Sequence, residues 1–395
     1  MRIILSMVLL AMVVWLLPAS WLERRASQEA GKVTEEGAGQ FADFAEVQAR
    51  LGYQALLEGR LDDAEAFLRQ AIATDAAAMD AWLRLAEAEA GKGRTAQARK
   101  LLRLVADLTP SVLRWKWSQA MLARDLGMAD VSTASLNSLV AAGRHVNDAF
   151  YLLEIDQGQH TPAVLEKLLP ENREPYLRWL MQWRRPEDAS LVWNALPLDR
   201  QEDPTLRLSF IDFLINNNKM LLVQDLWQAL ADPSGITNPG FEGTLTQRGL
   251  DWRFSNRKGE WIIQQTGYPF HSGRQSLEIH FSGQANSNFS SLYQYVPVST
   301  GKRYRLVYWW KAKQITTDQG PFVEVTGKDC KGLYQKGPMI VDTEDWAQVA
   351  LEFDVPKGCD TALVRLRRLP SRRFDNKIGG TVWLDDFSLR PVVNE

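Results

Sequence analysis

Hydrophobic and polar positions change their rhythm partway along the chain, and the change divides it. After a charge-free run from Ile3 to Leu22, apolar positions up to about residue 230 read as helix faces almost without a break. Beyond that the texture becomes short alternating runs punctuated by Gly, Pro, Asn and Ser, as antiparallel strands require. The expected strands cover 261–265, 276–281, 290–296, 303–312, 322–327, 346–355, 361–368 and 381–389. In the fourth, Tyr304, Leu306, Tyr308 and Trp310 share one face, while Arg305, Val307, Trp309 and Lys311 share the other. Eight strands of this kind suit a jelly roll.

A longer period runs through the helical stretch. Leu51-Gly52, Gly59, Ala64, Leu68 and Ala71 are followed 34 residues later by Leu85-Ala86, Gly93, Ala98, Leu102 and Val105. Trp82 lies three before Leu85, and Pro110 closes the second unit. Small residues let the two helices of a hairpin approach, and larger ones fill the gap to the next hairpin. Gly59 and Gly93 fall in turns, where a positive φ favours glycine. The pattern resembles the tetratricopeptide repeat. Such solenoids present an extended surface that docks other proteins. A third unit keeps Gly127 and Leu136 but weakens at Gln119 and Ser132. Two more hairpins, 174–183 with 186–196 and 206–215 with 221–230, extend the expected α-solenoid over 41–232. A docking surface for a protein partner is the functional reading, and a plain spacer is the competing one.

Residues 236–392 resemble carbohydrate-binding modules of the jelly-roll type. The resemblance is carried by Asn238 to Gly243 with Trp252, by Gly273 and Ser276-Leu277, and by Gln294 to Val298 with Gly301 and Tyr304. It continues in Lys311-Ala312, in Trp346 before Phe353 to Pro356, and in Trp383 to Phe387. It implies that the opening and closing elements meet at one edge, where Glu242 and Asp385 or Asp386 would help hold a structural calcium. Hard cations take several oxygen ligands, which carboxylates and loop carbonyls supply. A carboxylate that merely caps a turn is the alternative.

Sugar binding calls for exposed aromatic faces beside polar groups. The candidates are Trp261, Tyr268, Tyr293, Tyr295, Trp309, Trp310 and Tyr334, with Asn286, Asn288 and Gln294 for the hydroxyls. Tyr304, Trp346 and Trp383 read as core. Arg365, Arg367, Arg368, Arg372 and Arg373 form a basic cluster suited to an acidic polysaccharide or a partner's carboxylates. Arg365 and Arg367 are expected on the outer face of a strand, and Arg372 and Arg373 on the following loop. The competing reading is a solvated face paired with Asp345, Glu352 or Asp375.

Composition sets the remaining bounds. At 395 residues the chain suits two folded domains plus a tail, and its formal charge of -2 argues against nucleic acid as the main partner. The apolar run is long enough to span a bilayer as one helix, with Trp21 as an interfacial anchor, so 1–25 reads as a membrane anchor and 26–40 as a linker. A cleaved signal peptide competes, although a cut after Ala19 puts Leu17 at the minus-three position. Either way the body is expected outside the cytoplasm, in the periplasm of a bacterium and held to the inner membrane.

Cys330 and Cys359, an even pair in an exported protein, invite a disulfide contributing about 3 to 4 kcal/mol; two free thiols are the alternative. Catalysis is not expected. The four histidines, His145, His160, His271 and His280, show no metal-ligand spacing, and no nucleophile elbow or phosphate loop appears. A polysaccharide lyase or hydrolase is a minor alternative. The expectation is a non-catalytic, membrane-anchored adapter whose solenoid docks an envelope protein and whose jelly roll binds polysaccharide. It is similar to proteins of bacterial exopolysaccharide or O-antigen assembly. A purely protein-binding envelope scaffold is the runner-up.

Overall fold

A computed structural model describes residues 44–227, 235–374 and 376–392. The expected anchor at 1–25 and linker at 26–40 lie outside the described residues. Among the described residues no helix is long and apolar enough to cross a membrane. The chain forms two units. One holds the described residues up to Gln182 together with Asp188–Leu196, and the other holds Trp183–Glu187 with the described residues from Pro197 onward.

In the first unit the 34-residue period becomes three helix hairpins. They are α1 (Ala45–Leu57) with α2 (Leu61–Thr74), α3 (Met79–Gly91) with α4 (Thr95–Leu108), and α5 (Leu113–Asp125) with α6 (Ala129–Ala141). Then come α7 (Val146–Asp156), α8 (Thr161–Lys167), α9 (Arg173–Gln182) and α10 (Pro186–Asn194). Close approach decides the small positions: a Cβ on Gly52 would sit 2.6 Å from Leu68 Cγ. The turns are Schellman caps. Gly93 has φ +73°, its N–H donates to the Ala90 carbonyl, and the Arg94 N–H donates to the Glu89 carbonyl, both at 2.9 Å. In the third hairpin Gln119 occupies a large position, 34 residues after Leu85, and the small position passes to the fully buried Ala120.

A charge cluster joins the first two hairpins. The Glu65 carboxylate accepts from Lys92 Nζ at 2.7 Å and Arg69 Nε at 2.8 Å and also pairs with Arg94. These donors, Lys92 foremost, hold its pKa down at about 2.

The second unit opens with α11 (Leu198–Glu202), α12 (Pro204–Asn216) and α13 (Met220–Trp227). Asp203 caps α12 by accepting the Leu206 N–H at 2.7 Å. The solenoid expected to reach 232 gives up this last pair to the β-rich unit. The reason is Asp212, whose carboxylate accepts the Gly249 N–H (2.7 Å), Arg248 Nε (2.9 Å) and Arg253 Nη2 (2.6 Å).

Two antiparallel five-stranded sheets follow, with strands numbered in chain order. The first runs β1 (Arg253–Phe254), β4 (Phe289–Pro297), β9 (Thr361–Arg368), β6 (Phe322–Gly327), β7 (Tyr334–Lys336). The second runs β2 (Trp261–Thr266), β3 (Ser276–Ser282), β10 (Gly379–Pro391), β5 (Arg303–Ile315), β8 (Asp342–Asp354). Both sheets contribute to one core, which includes Leu277, Phe281, Leu292, Tyr308, Val364, Leu366 and Val382. The expected alternation of β5 holds, with Tyr304, Leu306, Tyr308 and Trp310 buried. The two strands beyond the eight expected are β1 and β7, too short to show any alternation.

The opening and closing elements do meet. Phe387 donates its N–H to the Pro239 carbonyl at 3.0 Å, and its ring lies 6.0 Å from Phe241 and 4.8 Å from Trp252. Cys330 and Cys359 are disulfide-bonded, tying the β6–β7 connection to the β8–β9 turn.

Gly93→Ala should lower stability by about 1 kcal/mol, the cost of a left-handed residue, because open space surrounds the site and only the backbone objects. An unchanged urea midpoint would contradict this. For Glu65 the sign follows from its depressed pKa. Its contribution is complete above the ordinary carboxyl value of 4.5 and fades as pH falls toward 2. Glu65→Gln should therefore lower the neutral-pH melting temperature and flatten its decline across that acid window.

Candidate functional site

Strand parity places the side chains that could meet a ligand. Along β9, Ala362, Val364, Leu366 and Arg368 are buried, so Leu363, Arg365 and Arg367 face outward. Register then aligns neighbours across the whole first sheet. Arg253 lies opposite Tyr293, Tyr293 opposite Arg365, Arg365 opposite Glu324, and Glu324 opposite Lys336. The next row is Tyr295, Leu363, Thr326 and Tyr334. The outer face of this sheet is therefore a band of tyrosines and cations.

Each part of the band has its own environment. Tyr293 and Tyr295 are half-buried and meet edge to face, with centroids 5.4 Å apart. Tyr295 has cations from Arg253 and Lys328 over its ring at 5.9 and 5.8 Å, and burial raises its pKa. Tyr334 is 61% exposed. Lys336 is exposed, with its Nζ 4.1 Å above the Phe322 ring. Arg365 Nε donates to Glu324 at 2.5 Å, and Glu324 is only 4% exposed. Arg253 is engaged by Asp212. Among the described residues no acidic group lies within ion-pair distance of Arg367 or Lys336, so these two carry the net positive charge of the face.

Several sequence-derived candidates lie elsewhere. Trp261 and Trp310 are each 4% exposed and belong to the core, so neither offers a face for a sugar. Gln294 is buried and locked to the backbone of Thr237, accepting its N–H at 3.1 Å and donating to its carbonyl at 2.9 Å. Trp309 faces outward from the other sheet, stacked on His271 with centroids 3.7 Å apart. Asn288 is exposed and accepts from Arg367.

The arginine cluster also comes apart. Arg368 is fully buried, donating to the carbonyls of Gln319, Ser287 and Asn376 and to Asn286 Oδ1. It is an internal strut. Arg373 pairs with Asp318 at 3.1 Å, and Arg372 is exposed. Asp345 and Glu352, the partners expected for this cluster, instead bind Lys311 and Arg303.

At the closing edge, Asp385 is fully buried. It accepts N–H groups from His271 (2.8 Å), Ser272 (3.3 Å) and Asp386 (2.8 Å). Burial, with the Asp386 charge adding to it, raises its pKa to about 6. Asp386 binds the Ser272 hydroxyl at 2.8 Å, with His271 Nδ1 2.6 Å from its other oxygen. Glu242 accepts the N–H groups of Arg274 and Gln275 at 2.7 and 2.9 Å. Three carboxylates thus gather around the loop at Gly240, but most of their lone pairs serve protein donors. Among the described residues no group of three or more acidic, His or Cys side chains is arranged to hold a metal ion. A cation here would have to draw on backbone carbonyls as well.

These features define a helical-repeat protein that carries an antiparallel β-sandwich. A family model described as Tetratricopeptide repeat matches residues 55–122. No curated protein matches the chain. Among solved structures, the β part is similar to TmCBM61 in complex with β-1,4-galactotriose at 20% identity, covering 41% of this chain and 100% of that one, with a TM-score of 0.29. It is also similar to the CBM22-1 xylan-binding domain of Paenibacillus barcinonensis Xyn10C at 18% identity, covering 40% and 94%, with a TM-score of 0.27. The enzymatically active domain of Bacteriophage CBA120 tailspike protein 4 matches at 13% identity, covering 40% of this chain but 21% of that one, with a TM-score of 0.29.

Arg365→Ala should destabilise the protein by on the order of 2–3 kcal/mol, because it strands the covered Glu324 carboxylate. Removing both partners should cost less than removing Arg365 alone, as a double-mutant cycle on denaturation midpoints would show. A double-mutant loss equal to the sum of the two single losses would mean the pair is not coupled.

Proposed function

We propose that the chain is a non-catalytic binding adapter. Its helical repeats dock a protein partner, and its first β-sheet binds a glycan bearing acidic groups. The observation that carries the reading is the outer band of Tyr293, Tyr334, Arg367 and Lys336, which sets aromatic surface beside cations without ion-pair partners on one partly exposed sheet face. Tyrosine rings take the C–H-rich faces of sugars, and cations take carboxylates. The setting we propose is the periplasmic side of a bacterial inner membrane, in exopolysaccharide or O-antigen assembly, with the N-terminal apolar run as anchor. A structural calcium at the closing edge, using Glu242 and one of Asp385 and Asp386 with loop carbonyls, is part of the same proposal.

The runner-up, a scaffold that binds only proteins, draws on a different observation. Trp261 and Trp310 are buried, and Tyr295 has cations over its ring, which shrinks the aromatic surface open to a sugar.

Affinity electrophoresis of the full chain through uronate-containing and neutral polysaccharides separates the two readings. Retardation should occur with the acidic polymers. It should weaken about 10-fold for Tyr334→Ala combined with Lys336→Ala, a loss of about 1.4 kcal/mol. Lack of retardation by every polymer would favour the protein-only scaffold, and depolymerisation of any of them would refute the non-catalytic reading. Chelation with EDTA should lower the melting temperature of the parent chain and leave a Glu242→Gln variant unaffected; an indifferent parent removes calcium from the proposal.

A further inference from the structure

A cleft of about 860 Å³ opens in the first unit beside the third hairpin, bounded by α4, α6 and the chain near Lys167. Lys116 forms part of its wall. By the 34-residue period Lys116 stands where the preceding repeat has Trp82, and Gln119 stands where it has Leu85. Two apolar packing positions have become polar in this one repeat. The result is a hydrogen-bonded chain that runs from α5 back to the end of α4. Lys116 Nζ donates to Gln119 Oε1 at 3.0 Å, Gln119 Nε2 to Thr109 Oγ1 at 3.0 Å, and Thr109 Oγ1 to the Val105 carbonyl at 2.6 Å.

Lys116 is only 5% exposed, and among the described residues no acidic side chain lies within ion-pair distance of it. An ammonium group has three donors, and the internal chain uses one. A buried charge without a counter-ion is costly, so packing alone would be better served by an apolar residue such as the preceding Trp82. Burial also lowers the pKa of Lys116 below its ordinary value.

We infer that this cleft binds a carboxylate group, seated on the free donors of Lys116; the buried Ser135 hydroxyl on the same lining already donates to Gln119 Oε1 at 3.5 Å. Charge favours a monoanion. Arg103 at the cleft is committed to Asp130, and Asp107 stands opposite in sign to Lys167, so the charged lining sums to a single positive charge. A phosphate dianion would exceed that single net positive charge and would also meet Asp107 and Asp130. The carboxylate could come from an acidic segment of a docked protein or from a free organic acid.

The test uses the full chain at constant ionic strength, titrated with sodium acetate, with a hexaglutamate peptide and with inorganic phosphate against sodium chloride. The readouts are the nitrogen-15 resonance of the Lys116 ammonium and the melting temperature. Acetate and hexaglutamate should each shift the resonance saturably and raise the melting temperature. Lys116→Met should fold with an undiminished melting temperature and bind at least about 10-fold more weakly. Hexaglutamate binding about 10-fold or more tighter than acetate assigns the ligand to a protein segment, and comparable affinities assign it to a free acid. The proposal is overturned if neither carboxylate acts beyond chloride, if Lys116→Met binds both as tightly as the parent, or if phosphate binds more tightly than acetate.

Discussion

The second unit depends on its two ends finding each other. Phe241 from the opening loop, Trp252 just before β1 and Phe387 from β10 pack as one buried aromatic cluster, with the Tyr308 ring stacked 5.3 Å from Phe387. β10 is the central strand of its sheet, paired with β3 on one side and β5 on the other. A chain that failed to bring Phe387 home would lose a sheet's middle, not an edge. The same closure gathers Glu242, Asp385 and Asp386 at one corner. Negative charge collects there because the hydrophobic closure requires those neighbours.

Once the sandwich is closed, parity controls what each strand can do. β9 turns Val364 and Leu366 inward and Arg365 and Arg367 outward, and two partner strands extend that choice across the face. Arg368 obeys the same rule and goes inside, where carbonyl oxygens satisfy it. Lys116 is the contrasting case of a buried cation. Arg368 meets four acceptors, three of them backbone carbonyls, whereas Lys116 has one amide oxygen from its own helix. Burial of a charge thus means structural completeness in one unit and an open valence in the other.

How much was legible in the chain follows from the range of the interactions. The helix hairpins could be read because their determinants are local and repeated, with glycine at the turns and small residues at the crossings. The inward face of β5 was equally open, and parity alone already placed Trp310 beside Tyr308. The alternation that buries Trp310 also buries Arg368, which takes both off the surface. Trp261 begins a strand, where parity has least to work with. Strands as short as β1 and β7 carry no period at all. The Asp212 cluster could not be foreseen, because it joins a helix to a loop and the start of β1, 36 to 41 residues away, through three separate donors.

The disulfide has a consequence for the candidate face. Cys330 lies just ahead of β7, the three-residue edge strand that carries Tyr334 and Lys336 and, among the described residues, pairs with β6 alone. Two of the most exposed groups on the face therefore ride on a short flap whose approach is stapled by a covalent bond. The edge of the face is thus set covalently at its start and by the β6 pairing along its length.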